Sequence, residues 1–139
     1  MYSFILYTTF IGIIAYFIDI LSPPKNRYKK CNKNLYFHIL ILIHHIFNIY
    51  LQFGWLSNNI ILLLFYSFIN IFTLLHWSSN NNYCFLTQII NKMCNIPINE
   101  YFRDIWYFLG IKNLKNYDTL HYIYLIITLF ISIFKIYLN

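Results

Sequence analysis

Four long apolar stretches divide the chain, and polar residues separate them. They cover residues 3–21, 35–55, 60–77 and 119–138. A helix of about 20 residues reaches roughly 30 Å, the thickness of the hydrocarbon core of a bilayer. The pattern therefore predicts an all-α, multi-span membrane protein. In this prediction the whole chain, residues 1–139, forms a single membrane domain built on a four-helix transmembrane bundle.

Polar side chains inside the second and third stretches recur at helical spacing, so that each set lines one face of its helix. The two sets are His38, His45, Asn48 and Gln52 in the second stretch, and Ser67, Asn70, Thr73 and His76 in the third. Polar faces are costly against lipid and turn towards protein or a wet cavity. We therefore expect the two sets to face each other as a polar seam.

Residues 87–110, between the third and fourth stretches, predict two short helices. The first covers residues 87–93, with Thr87 as its N-cap. The second covers residues 98–109, where apolar residues recur at intervals of three and four and Gly110 provides the C-cap. Because the second helix is too short to cross a bilayer, we expect an amphipathic helix that lies flat at the interface.

The fourth stretch has polar residues near both of its ends. Asp118 or Thr119 is the expected N-cap, and Lys135 is expected to extend outward to the interface at the far end. For His121 the sequence offers Asp118 as the nearest polar partner, which favours an interfacial position.

Charge is scarce and unevenly placed. Only 10% of the residues are charged, against about 25% in soluble domains. Basic residues concentrate in loop 22–34 and recur after the third stretch, as Lys25, Arg27, Lys29, Lys30 and Lys33, then Lys92, Arg103, Lys112 and Lys115. The positive-inside rule places these segments in the cytoplasm and both termini outside it. The basic loop predicts contact with the bilayer and its anionic headgroups rather than with nucleic acid.

Asp19 is the one acidic residue inside the first stretch. We expect it to pair with Lys25 or Arg27 in a structural role. An ionisable residue inside a span is also a candidate functional group. The alternative is therefore a proton or ion path formed by Asp19 with His44 and His45.

Three residues near the end of the third stretch are the best candidates for metal ligands. His76, Cys84 and Cys94 offer imidazole and thiolate, the groups that zinc prefers, and Cys31 or His38 would supply a fourth ligand. Their spacing matches no compact C-x-x-C site, so we favour an interfacial histidine with two reduced thiols. A disulfide between Cys84 and Cys94 would require an oxidising compartment or the reverse orientation.

Haem is the other cofactor considered, with His38, His45 and His76 as candidate ligands from two helices. Bulky Ile, Leu and Phe residues flank these histidines, and the chain has only 3 glycines. We therefore favour a hydrogen-bonded polar seam and predict no cofactor. A shared metal would bring the three histidines within about 4 Å of one another.

The segment that begins at His76 reads H-W-S-S-N-N-N-Y-C-F-L-T-Q-I-I-N. It resembles a family of uncharacterised four-span bacterial membrane proteins with a C-P-L-T segment after a span, and small multi-pass membrane proteins of large DNA viruses. Phe85 stands in place of the proline and Ile90 in place of an acid. The matching residues are His76, Trp77, Cys84, Leu86, Thr87 and Asn91. The resemblance implies a four-span fold and no particular activity.

The chain has no phosphate-binding loop, nucleophile elbow, H-E-x-x-H or C-x-x-C motif. We therefore expect a non-enzymatic integral membrane protein with a structural or assembly role, in a viral or organellar membrane. Two alternatives stay open. One is a membrane enzyme or carrier that uses histidine and cysteine to handle a metal, haem or protons. The other is a small subunit of a larger respiratory or transport complex.

Overall fold

The computed structural model describes residues 2–21, 28, 31–98, 100, 102, 104–111 and 116–139, and these contain helices and no strands. The helices are α1 (Tyr2–Leu21), α2 (Leu35–Phe53), α3 (Ile60–Ser79), α4 (Phe85–Met93), α5 (Ile105–Phe108) and α6 (Tyr117–Leu138). A short 3₁₀ turn, Gly54–Leu56, follows α2. The all-α fold class is confirmed.

Four helical segments are long and apolar enough to cross a membrane. They are Ser3–Leu21, Leu35–Leu56, Ile60–Ser79 and Tyr117–Leu138, which agrees with the four predicted spans. The segment containing α2 has the lowest mean hydropathy, 1.5, and the largest buried share, 50%. Its polar side chains are therefore covered by protein, and α2 is the central helix of the bundle.

Two helix pairs form the bundle, α1 with α2 and α3 with α6. The first pair is close because Gly12 has no side chain. A Cβ on Gly12 would lie 2.8 Å from the Cα of Ile46, and small residues allow helix backbones to approach in membranes. The short helix α4 packs against the beginning of α2, where Phe37, Ile41 and Ile90 are buried together.

Asparagine side chains cap the N-termini of two of the spans. Asn34 accepts a hydrogen bond from the backbone N–H of Phe37 at 2.9 Å, and Asn59 accepts one from Leu62 at 3.1 Å. A side-chain oxygen at this position satisfies one of the N–H groups that a helix leaves without a partner. These two caps define where α2 and α3 start.

The predicted caps of α4 and α6 are wrong. Helix α4 starts two residues early, with Cys84 at the N-cap position, and Thr87 is buried inside its first turn. Helix α6 follows Asn116, so that Asp118 lies in the first turn, where an acidic group favours the positive end of the helix dipole.

The predicted amphipathic helix over residues 98–109 is also wrong, since among the described residues of this stretch only Ile105–Phe108 are helical. The Asn91 amide donates hydrogen bonds to the carbonyls of Pro97 (3.1 Å) and Glu100 (2.7 Å). The Pro97 carbonyl also accepts the Glu100 backbone N–H at 3.0 Å, so the Asn91 side chain and a single turn hold this part of the chain. Phe102 is buried, with 3% exposure, so the segment folds into the bundle instead of lying along one face.

Most basic residues of loop 22–34 and of the segment after the third span lie outside the described residues, namely Lys25, Arg27, Lys29, Lys30, Arg103, Lys112 and Lys115. Lys33 and Lys92 are described and exposed. Lys33 precedes α2 and Lys92 lies in the last turn of α4, which packs against the start of α2. These two cations therefore share one end of the bundle, and the cytoplasmic location of that end stays a prediction.

Candidate functional site

Two residues of the polar line of α3, Ser67 and Asn70, face α6 and not α2 as expected. The Ser67 hydroxyl lies 2.7 Å from that of Ser132, and the Asn70 amide donates to the Leu125 carbonyl at 3.0 Å. Helical spacing determines which residues share a face, but it does not determine which neighbour that face meets. Ser67 and Asn70 therefore form a polar seam with α6, whereas Thr73 and His76 line a cavity together with Asn48 of α2.

The polar stripe of α2 makes four side-chain contacts with three other parts of the protein. Its pairs are His38 Nδ1 with Tyr16 Oη (2.8 Å), His45 Nε2 with Asp19 Oδ2 (3.2 Å), Asn48 Nδ2 with Asp104 Oδ2 (3.5 Å) and Gln52 Nε2 with His121 Nε2 (2.7 Å). The stripe thus connects the central helix to α1, to the segment before α5 and to α6.

Asp19 belongs to a buried network of three side chains. The Tyr28 hydroxyl donates to Asp19 Oδ2 at 2.8 Å, and His45 Nε2 lies 3.2 Å from the same oxygen. Exposure is 0% for Asp19, 1% for His45 and 3% for Tyr28. The expected pairing with Lys25 or Arg27 falls outside the described residues and stays a prediction.

Two polar side chains of α6 contact the end of α2 and the turn after it. His121 is only 7% exposed and bonds to Gln52. Lys135 is partly buried and donates to the carbonyls of Trp55 (3.2 Å) and Ser57 (2.6 Å), between α2 and α3. The expected position of both residues at the membrane interface stays a prediction.

Cys31 and Cys94 form a disulfide, and Cys84 is a free thiol. The expectation of reduced thiols at Cys84 and Cys94 is therefore wrong for Cys94. The predicted metal set of His76, Cys84 and Cys94 is not assembled, because Cys94 is bonded to Cys31. No group of three His, Cys, Asp or Glu residues suited to a metal occurs in the described ranges.

The three histidines considered for haem are separate. His38 and His45 lie seven residues apart on α2, about 10 Å along the axis, and contact Tyr16 and Asp19 respectively. His76 Nε2 lies 3.4 Å from the Asn80 amide nitrogen at the end of α3. The three imidazoles do not form a shared binding site.

A cavity of about 450 Å³ lies among α2, α3, α6, the start of α4 and the segment before α5. Its apolar wall includes Phe47, Leu51, Phe72, Phe85, Leu86 and Phe102. Its polar groups include His44, Asn48, Thr73, His76, Cys84 and His121. A concave, mainly apolar site with a few convergent polar groups is typical of small-molecule binding.

The motif that resembles other membrane proteins gathers at this cavity. His76, Trp77, Cys84, Leu86 and Thr87 all line it. The remaining motif residue, Asn91, holds the carbonyls of the segment that brings Phe102 to the cavity wall. The fold therefore gives the residues of this sequence segment a common location.

His44 and Cys84 bring an imidazole and a thiol into contact at the cavity. Cys84 Sγ lies 3.3 Å from His44 Nε2, a normal distance for a hydrogen bond to sulfur. The His44 ring is 4% exposed, and the edge-to-face ring of Phe102 packs against it at 3.8 Å between centroids. Sequence reasoning considered His44 only beside Asp19, because 40 residues separate it from Cys84.

Asn48 leaves a buried acceptor at the cavity. The residue is 8% exposed, and its Oδ1 has no hydrogen-bond partner among the residues that the structure describes. Buried polar atoms are nearly always satisfied, by protein or by another molecule. The Asn48 carbonyl oxygen is therefore the cavity group best suited to receive a donor from a ligand.

No protein-family model, curated protein or solved structure matches the chain significantly. The resemblance carried by the segment at His76 stays a prediction. The four apolar helices show an all-α architecture of the integral, multi-pass membrane class.

Proposed function

We propose that the protein binds an amphipathic small molecule, with a hydrocarbon body and a hydrogen-bonding end, in the cavity among α2, α3, α4 and α6. The observation that carries this proposal is the cavity of about 450 Å³ itself, with apolar walls and several buried polar groups. Sites of this kind bury most of a small ligand and orient it through a few polar contacts.

The shape of the cavity favours an elongated ligand. On α2 its lining extends from His44 to Leu51, seven residues or about 10 Å of helix. Phe72 of α3 lines the cavity and is also 66% exposed on the outer surface. Because that surface meets lipid in a bilayer, a ligand dissolved in the membrane has a lateral route to the cavity.

The polar groups favour a ligand that donates a hydrogen bond. Asn48 Oδ1 is a buried acceptor without a partner in the described part of the chain, and Thr73 lies on the facing helix with 6% exposure. A hydroxyl or amide at the end of a hydrocarbon chain would satisfy the Asn48 oxygen. A purely hydrocarbon ligand would leave that acceptor buried and unsatisfied, at a cost of roughly 1–3 kcal/mol.

The structural or assembly role expected from the sequence is the competing proposal, with a viral or organellar membrane as its location. That role needs outer surfaces rather than an internal cavity. Binding that depends on cavity-lining residues therefore separates ligand binding from a purely structural function.

The test uses a long-chain alcohol that carries a photoactivatable diazirine, added to the purified protein in lipid nanodiscs. Thr73→Phe fills the cavity, and Ile71→Phe places the same side chain on the lipid-facing side of α3, where Ile71 is 45% exposed. We expect Thr73→Phe to reduce crosslinking at least fivefold and Ile71→Phe to leave it unchanged. Equal crosslinking in both variants would contradict the proposal.

A further inference from the structure

We infer that Cys84 is a site of covalent acylation, at which its thiol accepts a long-chain acyl group from an acyl thioester and His44 takes up the thiol proton. This inference rests partly on the proposed function, because the acyl chain would occupy the same cavity. The reaction it describes is separate from reversible ligand binding.

The first support is the geometry of a nucleophile beside a base. Cys84 Sγ and His44 Nε2 are 3.3 Å apart, and both residues line the cavity. A thiol within hydrogen-bond reach of an imidazole is the arrangement that activates cysteine nucleophiles. The ring of Phe102 packs edge-on against the imidazole of His44, at 3.8 Å between ring centroids, and His44 is only 4% exposed. This packing holds the imidazole in its orientation.

The second support is the position of Cys84 at the N-cap of α4, a helix of nine residues. The Cys84 side chain makes no capping hydrogen bond, so its sulfur is available for chemistry. The N-terminus of a helix carries partial positive charge, which stabilises a thiolate and the oxyanion that develops when it attacks a carbonyl.

The third support is the chemical setting of the thiol. Cys84 is the free cysteine, because Cys31 and Cys94 are joined in a disulfide. It follows the end of α3 at Ser79 by five residues, and cysteines next to a span are the ones that receive reversible acyl groups. The apolar cavity wall beside the thiol offers the acyl chain a place out of water.

The step balances without an oxidant or a reductant. Cys84 Sγ forms a bond to the acyl carbonyl carbon as the bond between that carbon and the donor sulfur breaks. The thiol proton moves to His44 Nε2 and then to the departing thiolate. The products are an acyl thioester on Cys84 and the free donor thiol.

The test incubates the purified protein in nanodiscs with an alkyne-tagged palmitoyl-coenzyme A and measures label that neutral hydroxylamine removes. We expect wild type to take up label, Cys84→Ala to lose it, and His44→Gln to label about 100-fold more slowly, as for loss of a general base. His38→Gln replaces an imidazole of α2 outside the cavity, at the contact with Tyr16, and should label within twofold of wild type. Peptide mapping of the Cys31–Cys94 disulfide verifies folding of every variant.

Three results would overturn the inference: an unlabelled wild type, label retained by Cys84→Ala, or equal rates for folded His44→Gln and His38→Gln. The diazirine alcohol separates these failures from failure of the proposed function. Crosslinking that persists in a protein without acylation would refute only the covalent step. Acylation without cavity-dependent crosslinking would refute only the proposed reversible binding.

Discussion

The two helix pairs of the bundle are joined by different chemistry. In the α1–α2 pair, imidazoles meet ionisable partners: His45 meets Asp19, both buried, and His38 meets Tyr16, both half-buried. The described hydrogen bonds between α3 and α6 instead join hydroxyls, an amide and a backbone carbonyl, which are neutral groups. They join Ser67 to Ser132, Asn70 to the Leu125 carbonyl and Tyr66 to Thr128.

The comparison shows two ways of orienting helices in a membrane. Neutral hydrogen bonds between spans are individually weak, about 0.6 kcal/mol on average, so that α3–α6 distributes its stability over several contacts. A buried carboxylate and imidazole depend on each other, because removing one leaves the other without its partner in a low-dielectric interior. The α1–α2 pair should therefore be the more sensitive of the two to a single substitution.

Asp19→Ala should produce the largest loss. Breaking a buried pair by removing one partner costs about 3–5 kcal/mol, and Asp19 is 0% exposed between Tyr28 and His45. Unfolding by SDS in mixed micelles measures the change. The control Ile18→Ala, at a position 44% exposed, should change stability by much less. Equal losses for the two variants would contradict the expected sensitivity of the α1–α2 pair to loss of Asp19.

The disulfide adds a covalent bond from the connector before α2 to the end of α4. Cys94→Ser should lower the free energy of unfolding by about 2–4 kcal/mol, whereas Cys84→Ser should leave it nearly unchanged. A maleimide reagent should label only Cys84 in the unfolded, unreduced protein, and all three cysteines after reduction. Labelling of all three before reduction would show that the disulfide is absent.

The Cys31–Cys94 disulfide also concerns which side of the membrane each end of the bundle faces. Disulfides persist in oxidising compartments, and the Cys31–Cys94 bond lies at the end of the bundle that carries Lys33 and Lys92. The positive-inside rule assigns that end to the cytoplasm, where thiols are kept reduced. Labelling Lys33→Cys from either side of a sealed membrane, in a Cys84→Ser background, shows which side this end faces. The result decides whether the positive-inside rule or the redox state of the compartment predicts the orientation.

Gly12→Ala should separate α1 from α2. The added Cβ would lie 2.7 Å from the side chain of Ile46 and 2.8 Å from its Cα, so the backbone itself must move. Overpacking of this kind costs about 1–3 kcal/mol. Ile11→Ala, at a neighbouring position 40% exposed, is the control. An unchanged SDS midpoint for Gly12→Ala would show that the helices are less closely packed than described.

The smallest expected effect is that of the neutral hydrogen bonds between α3 and α6. A double-mutant cycle of Ser67→Ala and Ser132→Ala should give a coupling energy of about 0.6 kcal/mol, from the hydroxyl pair at 2.7 Å. Ser67→Ala with Thr128→Val provides the control, because Thr128 bonds to Tyr66 instead. A coupling as large as the Asp19 effect would remove the contrast between the two helix pairs.

The sequence by itself determined the four spans, because the length and hydropathy of a segment are local properties and a bilayer imposes a minimum length. It also located the polar faces of α2 and α3, since helical spacing depends only on the order of residues. It overestimated the helix before Gly110, because apolar periodicity does not reveal that Asn91 binds the carbonyls of that segment.

Only the tertiary structure decided which faces meet. Cys31 pairs with Cys94, and His44 meets Cys84 across 40 residues of sequence. Both contacts depend on how α4 returns against α2. Such contacts are set by the packing of several elements at once, and residue spacing along one helix carries no information about them. The cavity and its candidate chemistry therefore arise from packing, whereas the membrane-spanning character was already present in the order of the amino acids.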